Sequence, residues 1–292
     1  MKSHVNHIKN KNGVRQGIKS QSAMEYLMTY GWAILVIVIV IISLFKFGIF
    51  SNNLAPKAQP GSCYVSKTIT GGTLAGSCNG ELPEFVAQFN GASSYIALGT
   101  AYNPMNYVSD TITMCGWVNS PIYGAGLQFI KGNDNSGNSY GLETAADTFT
   151  VVIITSGAYT LHGGTLPLNS WQFICGAISG GNMYTYLNGV QTGSGTYSGT
   201  LSSSSQSAWI GAQNRTGYNY WYQGSMANIQ IYNASLPATD ILALYQEGIG
   251  GAPIDTNYLV GWWPLNGNAN DYSGNNNNGT PTNVIFNSTW SS

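Results

Sequence analysis

A run of nineteen residues without a charged side chain, Leu27–Phe45, restricts what this chain can become more than any other feature. A helix rises about 1.5 Å per residue, so a run of this length is just long enough to cross a hydrocarbon core about 30 Å thick. In lipid, a lone segment satisfies its backbone hydrogen bonds only as a helix. The sequence therefore predicts one transmembrane helix within residues 21–50, preceded by a basic leader of residues 1–20.

Charge is distributed unevenly on the two sides of this run. Residues 1–20 carry five basic side chains and no acidic one, whereas residues 51–292 carry four basic and ten acidic ones, a formal charge of −6. Because basic flanks stay cytoplasmic, we expect a single-pass protein of the cell membrane whose C-terminal part is extracellular. Nucleic acid is excluded as a partner, since its recognition needs clustered Lys and Arg.

All four cysteines lie in the C-terminal part of the chain. An even number in an extracellular context predicts two disulfides, for which three connectivities exist. A bond between Cys63 and Cys78 would close a local loop in the linker of residues 51–84 and is our first choice. It would leave Cys115 to pair with Cys175.

From Phe85 onward, short β-rich runs alternate with turn signals, which predicts an all-β sandwich. Phe85, Ala87 and Phe89, and later Tyr95 and Ala97, follow one period-two phase.

Two local signals lie further along the chain. Asn188-Gly189 predicts a hairpin turn. Residues 238–248 predict one or two helical turns with Asp240 as the N-terminal cap.

The segment Ser20–Leu27, S-Q-S-A-M-E-Y-L, resembles the class III signal peptide of archaeal type IV pilin-like proteins. The resemblance implies that a prepilin peptidase cuts between Ser20 and Gln21, although the family usually has Gly where this chain has Ser20. Glu25 then becomes the fifth mature residue. Its implied role is to pair with the α-amine of Gln21 in a neighbouring subunit, so that the helix forms a homo-oligomer or a surface filament. The local alternative is a capping box of Ser22 and Glu25.

Several segments, in order, resemble the laminin-G-like, concanavalin A-like jellyroll. They are Phe89–Ile96, Thr111–Trp117, Trp171 with Tyr184–Gly189, and Ile210-Gly211 with Gly224–Leu236. The resemblance implies a jellyroll β-sandwich over residues 85–287, carried outside the cell by the N-terminal helix.

Residues 258–287 resemble the opening strand of that family, yet they come last in this chain. One interpretation is a permuted order, in which this strand fills the first slot of the jellyroll. The other is a truncated second domain. Some thirty residues cannot bury a core alone, which favours the permutation.

Catalysis is not expected. Related jellyroll glucanases place two acidic residues two positions apart on one strand, and no two acidic residues of this chain have that spacing.

Calcium is the one candidate cofactor. The family often binds it through an acid on the closing strand, where this chain has Ala227-Asn228. Asp271, Ser273 and Asn275 offer oxygen ligands, but an Asx turn has the same sequence.

Two further sets of residues are candidates for contact with the outside. Tyr218, Tyr220 and Tyr222 share one phase and suit sugar faces or protein contacts, or else are half-buried strand residues beside Trp221. Glycosylation sequons occur at Asn214, Asn233, Asn278 and Asn287.

The sequence thus predicts a noncatalytic adhesin or minor pilin that presents a laminin-G-like domain to glycans or surface proteins. The binding function rests on analogy of fold. A purely structural filament or envelope subunit is the first alternative, and an atypical glycoside hydrolase is the second.

Overall fold

The structure of this chain is a computed structural model. It describes residues 28, 30–42, 82–98, 110–124, 126–131, 139–201, 207–215 and 218–289. The chain divides into two compact units, Met1–Lys57 and Ala58–Ser292, and each is described by itself.

The first unit contains helix α1, which comprises residues 30–42. Its large apolar side chains point in all directions, and each is between 44% and 67% exposed. Within the described ranges, no helix is both long and apolar enough to cross a membrane. The predicted leader, the cut between Ser20 and Gln21, and Glu25 lie outside the described residues.

The second unit is built from antiparallel strands. Those described are β1 Val86–Asn90, β2 Tyr95–Ala97, β3 Thr111–Asn119, β4 Gly126–Lys131, β5 Ser139–Ala145, β6 Thr148–Ile154, β7 Ala158–Thr165, β8 Gln172–Ser179, β9 Asn182–Leu187, β10 Val190–Thr196, β11 Ala208–Ile210, β12 Ala212–Arg215, β13 Tyr218–Trp221, β14 Gln223–Tyr232, β15 Leu259–Trp263, β16 Thr280–Thr282 and β17 Ile285–Asn287.

These strands form two packed sheets and a short hairpin. The first sheet has the order β10-β9-β8-β3-β14-β1-β17, and β15 also pairs with β14. The second sheet has the order β16-β2-β11-β4-β5-β6-β7, and β12 pairs with β13. The predicted all-β sandwich is confirmed.

The main core lies between the two sheets. It takes alternate residues from each strand, such as Ala87 and Phe89 of β1, Ile96 of β2 and Met226 of β14. Because side chains alternate across a strand, the residues between them face outward. Gln88 and Gln223 therefore stand on the outer face of the first sheet, and Tyr95 on that of the second.

Helix α2, Ala238–Glu247, covers part of the outer face of the first sheet. Its buried residues Ile241 and Leu244 pack with Cys115, Trp117 and other outward residues of that sheet. This cover explains why β3 is buried on both faces. The short helix is confirmed, but the predicted cap is wrong: Asp240 lies in the first turn, and Pro237 precedes the helix without a side-chain cap.

The hairpin between β9 and β10 turns at Asn188 and Gly189, as the sequence predicts. Both residues have positive φ, 51° and 79°, the conformation that a two-residue I′ turn requires. A β-carbon on Gly189 would lie 2.8 Å from the side chain of Leu242, so this turn also packs closely on α2.

The C-terminal segment belongs to the same two sheets. β15 extends the first sheet beside β14, β17 forms its edge beside β1, and β16 forms the edge of the second sheet beside β2. Trp263 of β15 is fully buried in the main core, and its indole N–H donates to the carbonyl of Asn277 at 2.9 Å. This segment therefore contributes core residues to the sandwich, while the permuted family order stays a prediction.

Candidate functional site

A groove of about 500 Å³ lies on the outer face of the first sheet, where the end of β3 meets the start of β14. Helix α2 covers other parts of this face and contributes no residue to the groove. The groove is lined by Gln88, Phe89, Asn90, Asn119, Pro121, Asn169, Gln223, Gly224, Ser225, Asn283 and Ile285.

Strand register places these residues side by side. Gln88 lies opposite Ser225 on β14 and opposite Ile285 on β17, and Asn90 lies opposite Gln223. Gly224 allows the close approach of β14 to the end of β3. Its φ is 140°, and a β-carbon there would meet the carbonyl oxygen of Asn119.

Two lining amides, those of Asn90 and Asn283, serve the local structure. The Oδ1 of Asn90 accepts hydrogen bonds from the backbone N–H groups of Ala92, Ser93 and Ser94 at 2.8–3.1 Å. Its Nδ2 donates to the Ser93 hydroxyl, which also accepts from Asn283 Nδ2 at 3.2 Å. These bonds hold the β1–β2 turn and residue 283 together at one wall of the groove.

Four other amides line the groove, those of Gln88, Asn119, Asn169 and Gln223. Among the described residues, no side-chain or backbone group forms a hydrogen bond with them. A carboxamide offers two donors and an acceptor without charge. The arrangement therefore suits a neutral ligand with alternating donors and acceptors.

Part of the groove lining is apolar. Pro121 and Ile285 both line it, and 64% of the surface of Ile285 is exposed. Ile285 is one of the six large apolar side chains exposed in the described part of the second unit. Exposed apolar surface beside convergent polar groups is typical of a binding site.

A cluster of aromatic rings lies on the opposite face of the sandwich. Tyr95 packs against Trp209, with ring centroids 4.5 Å apart, and against Trp221 at 6.0 Å. All three rings are part-exposed. The planes are tilted by 36° and 42°, so the rings pack against one another and do not form one flat platform.

Comparison with known families agrees with the topology. The Laminin_G_3 family, described as the concanavalin A-like lectin/glucanases superfamily, matches residues 90–242, which is just over half of the chain. The chain belongs to this superfamily. Its membership and the two antiparallel sheets confirm the jellyroll fold of this concanavalin A-like domain. No curated protein matches the chain.

Solved structures with the same fold are distant in sequence. A protein from Bacteroides ovatus ATCC 8483, for which carbohydrate binding is proposed, is 15% identical with a TM-score of 0.54, over 71% of this chain and 61% of that chain. The concanavalin A-like chain thus spans less than two thirds of that relative. The heptameric SAP-like pentraxin of Limulus polyphemus is 16% identical with a TM-score of 0.50, over 69% of this chain and 94% of that chain. These likenesses show the fold alone.

The three predicted tyrosines do not form one exposed row in this concanavalin A-like domain. Tyr222 is 1% exposed and packs in the main core edge-on to Phe89, at 6.0 Å. Burial raises the pKa of its hydroxyl. The prediction that Tyr222 contacts a ligand is therefore wrong. Tyr220 is part-exposed, and the side chain of Tyr218 lies outside the described residues.

Asp271 organises a turn in this domain and does not present a calcium ligand. It is fully buried, and its Oδ1 accepts from the backbone N–H of Trp262 at 3.0 Å and of Ser273 at 2.8 Å. Its Oδ2 accepts from the N–H of Asn277 at 2.8 Å. Asn275 Nδ2 donates to the carbonyls of residues 259 and 260. The Asx-turn alternative describes these residues, and the described chain contains no cluster of metal-ligating side chains.

The other predicted site residues are the cysteines of the two disulfides and the asparagines of the four sequons. Cys115 and Cys175 form the predicted disulfide between directly paired residues of β3 and β8, whereas Cys63 and Cys78 lie outside the described residues. Of the sequons, Asn278 is exposed, while Asn233 and Asn287 are part-exposed. The side chain of Asn214 lies outside the described residues.

Sequence reasoning missed the groove. Gln88, Asn119 and Gln223 come from three strands, and nothing in their local sequence sets them apart from other surface amides. One signal was available in the sequence. Gln88 lies between the inward-facing Ala87 and Phe89, so alternation along the strand places its amide on the outer face.

Proposed function

We propose that this chain is a surface-anchored, noncatalytic protein that binds a neutral glycan in the groove of its concanavalin A-like domain. The observation that carries the proposal is the lining of the groove, which consists of amides, a serine hydroxyl and apolar groups, without an ionisable side chain among the described residues. Paired hydroxyls of a sugar match the donors and acceptors of carboxamides, and its C–H faces match Ile285 and Pro121. Membership of a superfamily of lectins and glucanases supports this ligand class.

The charge of the groove favours neutral over acidic sugars. A carboxylate or sulfate on a sugar is bound best by Arg or Lys. None of the described residues that line the groove is Arg or Lys.

The hydrolase alternative is less well supported. Glu143, Thr150 and His162 form a row across β5, β6 and β7, with Thr150 Oγ1 3.0 Å from His162 Nδ1. Thr150 is only 1% exposed, so its hydroxyl does not reach a substrate. Glu143 lies opposite Thr150 and not beside His162, so it does not orient the imidazole as a catalytic acid would.

The N-terminal segment supports surface anchoring. Helix α1 is apolar on every side and exposed within the chain, which is the pattern of a helix covered by lipid or by other helices. We propose that residues 21–50 anchor the protein in the membrane or in a surface filament after cleavage between Ser20 and Gln21. Glu25 then pairs with a neighbouring subunit. Mass spectrometry of the mature N-terminus tests this step, and a chain that retains residues 1–20 would contradict it.

Binding is tested on a glycan array with the full chain in detergent, followed by titration of the best neutral ligand. The double variant Gln88→Ala/Gln223→Ala removes two amides, each worth about 0.5–1.5 kcal/mol, so affinity should fall about tenfold or more. The matched control is Gln246→Ala, an exposed amide on α2.

Two results would count against this proposal. Absence of glycan binding would leave the structural filament or envelope subunit as the better function. Loss of binding in Trp209→Ala, with the groove variant unchanged, would move the site to the aromatic cluster on the other face.

A further inference from the structure

One sequon stands beside the groove. Asn287 is on β17, the edge strand of the first sheet, two residues after Ile285. Residues two apart on a strand share a face and are separated by about 7 Å. Ile285 lines the groove, so the side chain of Asn287 leaves the same face of β17 next to it.

The side chain of Asn287 is arranged for modification. Its Oδ1 accepts from both the backbone N–H and the hydroxyl of Thr289, each at 2.9 Å. Thr289 is the residue that completes the sequon. Within the described chain no hydrogen bond uses the Nδ2 of Asn287, and the residue is part-exposed. Among the described residues, the amide nitrogen therefore has no hydrogen bond that a modification would have to break.

The other sequons are placed differently. Asn278 Oδ1 accepts from the backbone N–H of Asp271 at 3.0 Å, and Thr280 of that sequon pairs with β2 at the edge of the second sheet. The Oδ1 of Asn233 is buried and accepts no hydrogen bond from any described residue. Neither residue lines the groove.

We propose that Asn287 carries an N-linked glycan and that this glycan occupies the groove of the same chain, competing with external ligands. The inference rests on the proposed function, because the proposed function is what assigns a neutral saccharide to the groove. No other described strand pairs with the outer side of β17, which leaves space there for a bulky substituent. The attached saccharide would act as a tethered ligand that tunes attachment.

The modification is a substitution at the amide nitrogen. A bond forms between Asn287 Nδ2 and the anomeric carbon of a glycosyl phosphate donor, and the bond from that carbon to the phosphate oxygen breaks. The phosphate leaves with the electron pair, and Nδ2 gives up one proton. Nothing is oxidised or reduced.

The size of the competition follows from effective concentration. A ligand on a short flexible tether is present at millimolar effective concentration. If the groove binds one saccharide with a dissociation constant near 0.1 mM, the tethered copy weakens external binding about tenfold.

The test compares full chains purified from the protein's own cells. Thr289→Ala removes the Asn287 sequon, Thr289→Ser retains one, and Thr280→Ala is the matched control that removes the Asn278 sequon. Glycopeptide mass spectrometry reports occupancy, and titration with the neutral glycan from the array reports affinity. We expect Asn287 to be occupied, Thr289→Ala to bind about tenfold more tightly, and Thr289→Ser and Thr280→Ala to bind like the wild type.

The outcomes separate this inference from the proposed function. An unmodified Asn287, or equal affinity of wild type and Thr289→Ala, overturns the inference while glycan binding stands. The proposed function is tested separately with chain made in cells that do not carry out N-glycosylation. If that chain binds no glycan, the proposed function fails, and the inference fails with it.

Discussion

Asn228 and Trp262 are joined by a hydrogen bond of 2.7 Å from the indole N–H to the side-chain oxygen. Asn228 has a φ of 52° and lies where β14 changes its partner from β1 to β15. Its Oδ1 also accepts from Gln230, and its Nδ2 donates to the carbonyl of Gly251 at 2.9 Å. The position where the family often has a calcium-binding acid is thus occupied by an amide that needs both its donor and its acceptor.

Asn228→Asp should destabilise the domain by about 2–3 kcal/mol at neutral pH. The new carboxylate would be buried and would face the Gly251 carbonyl without a donor. Urea unfolding measures the loss, and acidification should recover part of it because a protonated carboxyl can donate again. Addition of Ca²⁺ should not restore stability, and a clear restoration would revive the calcium site.

The disulfide should contribute about 4 kcal/mol to stability. Cys115 and Cys175 are 60 residues apart in sequence, and the chain-entropy estimate for a loop of that length gives this value. Cys115→Ala/Cys175→Ala should therefore unfold at lower urea. Reductant should lower the midpoint of the wild type by clearly more than that of the double variant, which keeps the predicted Cys63–Cys78 bond. A reductant effect of equal size in both would contradict the assignment.

The carboxyl pair of Asp255 and Asp240 should make the domain less stable as pH rises from about 4. The pKa of Asp255 is raised above its ordinary value near 3.9, first by its hydrogen bond with the Asp240 carboxyl, then by burial and by charge repulsion from Asp240. The folded state then holds the proton more tightly than the unfolded chain. This contribution to stability is therefore lost as pH rises from the pKa of Asp255 in the unfolded chain to its higher pKa in the folded state.

Asp255→Asn should remove this pH dependence. The effect is small because Asp255 is exposed. The control is Asp147→Asn, which changes an exposed acid in the β5–β6 turn. Unfolding midpoints measured between about pH 3 and pH 7 report the difference, and an unchanged slope in Asp255→Asn would refute the assignment.

Trp263→Ala should cost about 3–5 kcal/mol, because Trp263 is fully buried in the main core. Ile285→Ala, in the same C-terminal segment but exposed on an edge strand, should change stability by less than about 0.5 kcal/mol. Thermal unfolding compares the two. Equal small effects would favour the alternative of a truncated second domain.

The sequence was a good guide to the layers of the fold. In Thr111–Val118 the alternate positions divide between the main core and the cluster under α2, as period two predicts. The prediction that Phe89 and Tyr95 share one phase is wrong: Phe89 points into the main core, whereas Tyr95 lies on the outer face of the second sheet. The turn at 90–94 transfers the chain from one sheet to the other, and periodicity within one strand does not carry through such a turn.

The site was harder to predict because it depends on pairings between distant residues. Alternation along one strand predicts that Tyr220 and Tyr222 lie on the same face. Tyr222, however, lies just after the end of β13, and its side chain packs in the main core. The amides of Gln88 and Gln223 become neighbours only through the pairing of β1 with β14. Local patterns report which side of a strand a residue occupies and do not report which strand lies next to it.

The pairing of β17 with β1 has a consequence for biosynthesis. Gln88 emerges from the ribosome early and Ile285 late, yet both line the groove. The nascent chain therefore lacks Asn283 and Ile285, two residues of the groove lining, until its synthesis is almost complete. The whole lining comes together only when the last described strand pairs with the first, so a groove that binds glycans as we propose would be incomplete for as long as the chain is being made.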